Sequence, residues 1–235
     1  MTDEIRDYSR TDEGSPLSSP APEGAAPQPE GDGASTVTQQ LLSWVEIVVI
    51  AVVLAWLLTT FVIVNARVPT GSMENTIMPG DRLIGSRLAY LNDDPERGDI
   101  VIFRYPLGEA LGEKKNFIKR IIGLPGETVE IRDGLIYIDG SSEPLDEPYL
   151  KEEWTVLNDG FVFQVPEDSY LVLGDNRNNS SDSRYWASLA IQGFEEAGME
   201  ITHEEAWSYS YVGREYILGK ALFRYWPLTS ISKLS

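Results

Sequence analysis

Val68-Pro-Thr-Gly-Ser72-Met-Glu-Asn-Thr-Ile77-Met-Pro-Gly-Asp81 is the stretch at which the chain changes character. Before it lies the one long apolar run of the sequence. After it come short apolar segments separated by Gly and Pro, the pattern of strands and turns. The stretch itself is two turn signals back to back, Pro69-Thr-Gly-Ser72 and Met78-Pro-Gly-Asp81. Gly and Pro at such spacing place Ser72 on a loop and not in a regular element. A serine presented on a loop is a candidate nucleophile, although a Gly-Ser pair in a loop is by itself ordinary.

Working upstream, Ile47 to Val64 holds no charge, and its only polar residues are Thr59 and Thr60. Eighteen residues at about 1.5 Å each cover about 27 Å, close to the hydrocarbon thickness of a bilayer. Leu41 to Trp44 extend the run, with Trp44 suited to the membrane interface. The expectation is a single transmembrane helix over 41–65. A cleavable signal peptide competes with it, because Val64-Asn65-Ala66 resembles a small-residue cleavage site. The preceding region, however, is long and acidic, and the apolar run exceeds that of a signal peptide. Residues 1–40 are rich in Pro, Ser, Ala and acid, a composition that cannot offset the entropy of ordering, and they read as a disordered tail.

Working downstream, Gly98-Asp-Ile-Val-Ile-Phe-Arg-Tyr-Pro106, Asn116-Phe-Ile-Lys-Arg-Ile-Ile122, Gly160-Phe-Val-Phe-Gln-Val165, Tyr170-Leu-Val-Leu173 and Tyr216 to Trp226 read as strands. Thr128 to Ile131 and Leu135 to Ile138 flank Asp133-Gly134, a strong hairpin signal. The fold class is therefore mainly β: an N-terminal transmembrane helix, then an antiparallel β domain over 66–228. Within it, about 127–162 reads as a peripheral β excursion, and about 188–212 as a helical or irregular insert.

Composition narrows the chemistry. The 235 residues carry no cysteine and one histidine, His203, with a net charge of −18. Thiol nucleophiles, disulfide scaffolds and cysteine or multi-histidine metal sites are excluded. The acidity argues against a nucleic-acid partner. A Ser-His pair would have to use His203, which lies in the insert and reads as a surface residue. Lys119 sits between Ile118 and the Ile121-Ile122 pair, either projecting outward as a surface lysine or buried. If buried, its ammonium is desolvated and its pKa falls toward neutrality. A neutral amine beside a serine hydroxyl can act as general base.

One further stretch raises the specificity, Gly174-Asp-Asn-Arg-Asn-Asn-Ser-Ser-Asp-Ser-Arg-Tyr-Trp186. Together with Pro69-Thr-Gly-Ser-Met73, Gly98-Asp-Ile-Val101 and Phe117-Ile-Lys-Arg-Ile-Ile-Gly-Leu-Pro-Gly126 it resembles the bacterial type I signal peptidases, over roughly 41–227. These are membrane-bound serine proteases that remove signal peptides from exported proteins. The resemblance implies a signal-peptidase or repressor-protease-like β domain, with Ser72 as nucleophile and Lys119 as general base. It implies that Thr70 and the Ser72 N–H form the oxyanion hole, that Ser180 orients the lysine, and that Asp182 and Arg184 brace the loop. Val68, Met73, Ile77, Phe117 and Ile118 would wall shallow pockets for small side chains, fitting cleavage after Ala-x-Ala. The implied partners are preprotein signal peptides and the lipid bilayer, with no metal, cofactor or nucleic acid. The domain would face outside the cytoplasm and the tail inside, against the weak orientation signal of Arg67 and Arg82 just after the helix.

The chain departs from the family pattern in three places. Asn75-Thr76 stands for the usual Pro-Thr, expected to alter only loop rigidity. Glu127 stands for the usual Asp, a mild change. Residues 188–212 lengthen the link to the last strand. Two other readings compete. A self-cleaving repressor-class Ser-Lys protease would be cytosolic with a DNA-binding segment, which the acidic tail and apolar run argue against. An inactive membrane-anchored β module binding exported chains would not need Ser72, Lys119 and Ser180 intact.

Overall fold

A computed structural model describes residues 33–154 and 160–234. The chain divides into two units between Val48 and Val49, inside the first helix. Up to that point the described residues are the opening turns of helix α1, Gly33–Leu57. Residues 37–62 are long and apolar enough to cross a membrane, with mean hydropathy 2.6 over the scored window. Most of the tail expected over 1–40 lies outside the described residues, but its end from Gly33 onward belongs to α1.

The helix also ends earlier than the expected 41–65. A π-turn covers Leu58–Val62, and Ile63–Arg67 is already strand β1. The physical reason is a partner: Ile63 to Arg67 pair residue by residue with β2, Arg82–Ser86. β-branched Ile63 and Val64 suit a strand as well as a bilayer, and the apolar run concealed the change of element.

The second unit holds an antiparallel eight-stranded sheet and a three-stranded one. After β2 come β3 (Ile100–Arg104), the short helix α2 (Pro106–Ala110) and β4 (Asn116–Gly123). β5 (Thr128–Arg132) and β6 (Leu135–Ile138) form the expected hairpin, with Asp133 and Gly134 both at positive φ in its turn. β7 (Phe161–Gln164) adds to β5 and completes the small sheet of the excursion. β8 (Ser169–Leu173) returns to β4. The insert is two helices, α3 (Ser183–Glu196) and α4 (His203–Ser208). The chain then forms β9 (Val212–Gly213), the long β10 (Ile217–Trp226) and β11 (Ser232–Lys233). The order in the large sheet is β1-β2-β10-β3-β4-β8-β9, with β11 on β10.

Three apolar clusters support this arrangement. Val68, Met73, Ile77, Leu83, Ile102 and Ile118 pack together beneath the Ser72 loop. An aromatic group built on Phe103, Tyr105 and Trp186 lies under α3. Ile122, Val129, Ile131, Phe163 and Leu171 tie the small sheet to the large one. Each fully buried aliphatic side chain contributes roughly 1.5–3 kcal/mol relative to exposure.

Candidate active site

β4 sets the geometry. Successive side chains of a strand point to opposite faces, so Lys119 and Arg120 leave the backbone in opposite directions. Lys119 is 4% exposed, and its Nζ lies 2.7 Å from Ser72 Oγ. It also donates to the Ile118 carbonyl at 3.3 Å. Burial pushes the Lys119 amine down to about 8; the Asp182 and Asp175 carboxylates oppose the shift and the Arg184 guanidinium adds to it. On the other face, Arg120 makes a bidentate pair with Asp175, Nε to Oδ1 at 2.9 Å and Nη2 to Oδ2 at 2.8 Å. Its remaining arm donates to the Gly98 carbonyl at 2.7 Å.

The loop bearing Ser72 is closed at its base, Val68 N to Asp81 O at 3.0 Å and Gly80 N to Val68 O at 2.7 Å. The stretch from Gly174 to Asp182 grips its tip. Asn176 N donates to the Ser72 carbonyl at 3.0 Å, and Asn176 Nδ2 to the Gly71 carbonyl at 2.9 Å. Thr76 Oγ1 donates to Asp175 Oδ2. The two stretches touch closely at Gly174, where an added Cβ would overlap both Ser180 Oγ and the Ser72 carbonyl oxygen.

Asp182 and Arg184 are both fully buried and joined at 2.7 Å. Asp182 also caps α3 and accepts from Gly174 N at 3.0 Å. Burial is the largest influence on the Asp182 carboxyl and would raise it, but the Arg184 guanidinium together with hydrogen bonding from Ser180 and the Gly174 N–H outweighs it and holds the group below the usual carboxylate range. Arg184 reaches on to the Arg177 carbonyl at 2.9 Å. The pair thus fixes the start of α3 to the end of β8.

Beside Ser72 and Lys119 opens a cleft of about 300 Å³. Val68, Thr70 and Met73 line one wall, Phe117 and Ile118 the other, with Arg67 and Asn116 also at its surface. Phe117 is fixed from behind by Tyr105, stacked at 4.3 Å and 6°. Both walls expose strand edges. Among the described strands β1 pairs only with β2, and β4 meets β8 only from Arg120 onward, so Asn116 to Lys119 have one side that no described strand uses.

The structure therefore brings Ser72, Lys119, Thr70, Val68, Met73, Phe117 and Ile118 to one cleft, with Asp182 and Arg184 behind it. Two expectations differ. Ser180 is buried beside Gly174, but its Oγ makes no hydrogen bond to Lys119. Ile77 is fully buried in the cluster below the loop and is not at the cleft surface, because Ile77 N closes a helical turn on the Met73 carbonyl at 2.8 Å and turns the side chain inward. The departures also gain contacts. Asn75 takes φ +89°, which proline cannot adopt, and donates to the excursion's backbone, so its effect exceeds loop rigidity. Glu127 accepts from Leu124 N at 2.7 Å and pairs with Arg97. Arg120, Asp175 and Asn176 were missed as site residues. The available signal was a second cation beside Lys119 in an apolar strand, which requires an anion on the opposite face.

A family model and a number of curated relatives match this chain. The model described as signal peptidase, peptidase S26, matches residues 41–226. Signal peptidase I of Leptolyngbya laminosa is 36% identical over 235 residues, covering 96% of each chain. Probable signal peptidase I-2 of Synechocystis sp. is 40% identical over 199 residues, 82% of this chain and 78% of that protein. Signal peptidase I of Bacillus amyloliquefaciens is 38% identical over 152 residues, 61% of this chain and 77% of that protein.

Proposed function

The chain belongs to the signal peptidase family, peptidase S26, and on that premise we propose that it is a membrane-anchored endopeptidase cutting signal peptides after small residues, with Ser72 as nucleophile and Lys119 as general base. It is a serine-protease-type hydrolase of signal-peptide processing. The observation that carries the finer reading is the 2.7 Å approach of a buried amine to a serine hydroxyl at the floor of a cleft.

An extended peptide suits the two unused strand edges, β1 with Val68 on one side and Asn116 to Lys119 on the other. Small side chains at alternate positions fit against Val68, Met73, Phe117 and Ile118. With Lys119 neutral, its lone pair accepts the Ser72 proton as Oγ attacks the scissile carbonyl. The carbonyl oxygen becomes an oxyanion facing the Ser72 N–H and the Thr70 hydroxyl. The Lys119 ammonium then protonates the departing amine, leaving an acyl ester on Ser72. Water, deprotonated by the same lysine, hydrolyses that ester and regenerates the hydroxyl. Ser180 acts through packing beside Gly174, and Asp182 with Arg184 fixes the loop that grips Ser72.

The test is incubation of the full chain in detergent with a preprotein, mapping the new N-terminus by mass spectrometry. A single cut after a small residue, lost in Ser72→Ala, is expected. Absence of cleavage, or cleavage retained by Ser72→Ala, overturns the reading.

A further inference from the structure

The loop carrying Ser72 is gripped on a second side by Tyr149, Leu150 and Lys151, a strand-free part of the excursion. Asn75 stands at φ +89°, a region open to few residues other than Gly, Asn and Asp. Its Nδ2 donates to the Tyr149 carbonyl at 3.1 Å and the Leu150 carbonyl at 3.3 Å. The adjacent Glu74 receives Lys151 Nζ at 2.6 Å and Asn176 Nδ2 at 3.2 Å. Lys151 N donates in turn to the Asp175 carbonyl at 3.4 Å.

The position of the Glu74 carboxylate matters most. It folds back over the loop, so that a Cβ built on Gly71 would overlap its Oε1. An anionic group therefore lies against Gly71, whose carbonyl carbon is bonded to the Ser72 amide nitrogen. A negative charge beside a donor aimed at a developing oxyanion opposes that oxyanion. Lys151 is the cation that offsets it.

We propose that Lys151 is a positioning residue for the hydrolysis: its ammonium holds and neutralises Glu74, keeping the Ser72 N–H side of the cleft favourable to an oxyanion. This rests on Ser72 being the nucleophile. The ion pair is partly open to water, with side chains 40% and 22% exposed for Lys151 and Glu74. Exposed pairs contribute little to folding. Its loss therefore acts on turnover and leaves the fold intact.

The experiment measures kcat and KM separately for preprotein cleavage by the full chain in detergent. It compares Lys151→Met, Glu74→Gln and the double variant with the parent. Lys151→Met is expected to lower kcat by about 5- to 20-fold with KM within about twofold, less than the loss of a direct oxyanion donor. The double variant is expected to recover to within about threefold of the parent, because no uncompensated carboxylate remains. A purely structural ion pair would instead shift KM and the melting midpoint of Lys151→Met along with kcat. Unchanged kcat in Lys151→Met, or a double variant no better than the single one, overturns the proposal. Ser72→Ala separates the two readings. If it is inert while Lys151→Met is unimpaired, only the role of Lys151 falls; if it still cleaves, both fall.

Discussion

Lys119 has lost nearly all contact with water, and that loss falls on its charged form. A base must be neutral to accept a proton, so kcat/KM should rise with pH through a value near 8, the value to which burial lowers the amine. Lys119→Arg should abolish the rise and lower activity by about 10³-fold or more, because a guanidinium keeps its proton. His203→Ala, exposed at the start of α4, should cleave as the parent does. A pH–rate series on the three proteins decides it. The same shift affects stability. The unfolded chain keeps that proton up to the ordinary lysine value, while the folded chain releases it near 8. This residue's contribution to stability therefore improves as pH rises between the two. Gly174 is the other exacting position. Gly174→Ala should push Ser180 and the Ser72 carbonyl apart and lower kcat by about 10²-fold, the usual cost of misplacing a reacting group by an ångström. A melting curve alongside the kinetics separates displacement from unfolding. Lys119 was legible in the sequence as a cation flanked by isoleucines, but its burial was not. Burial depends on the Ser72 loop folding over it from 47 residues away.

At the level of elements, the cleft wall and the core beneath it respond differently to the same truncation. Ile118 lines the cleft, whereas Ile77 sits below the loop with no exposure. Ile118→Ala should widen the pocket and admit larger side chains before the cut, at about 1–3 kcal/mol per methylene of discrimination. Ile77→Ala should leave that preference unchanged and cost about 2–5 kcal/mol of stability. A panel of preproteins varied at the residue before the cut, together with denaturant unfolding, reads both effects. Strands with Gly-Pro punctuation were legible, as was the Asp133-Gly134 hairpin. β2 was not, since Gly85 weakens its strand signal. Gly85 is there for a close crossing: a Cβ on it would come within 2.8 Å of the Lys220 carbonyl on β10. The insert was legible as a helical or irregular segment, but not as two helices. Its anchoring, with Trp207 edge-on to Phe163 at 5.7 Å, depends on a strand far away in sequence.

For the molecule as a whole, charge and topology give the remaining test. The domain after Arg67 is expected outside the cytoplasm and the residues before α1 inside, although Arg67 and Arg82 alone would argue the reverse. Protease added to spheroplasts should digest the domain and spare the tail; a protected domain would reverse the orientation. The motif order was enough to identify the family, but the joining of the excursion to the Ser72 loop, across 74 residues of sequence from Asn75 to Tyr149, has no local signal. One feature of the large sheet reaches further. β4 carries two cations back to back, and its pairing of Lys119 with Val101 decides which of them meets Ser72. A slip of a single residue would offer a guanidinium to the serine and an amine to Asp175. Assembly of this sheet thus works as a parity check, and for a protease that is a safeguard: a copy threaded one residue out is silent, not indiscriminate.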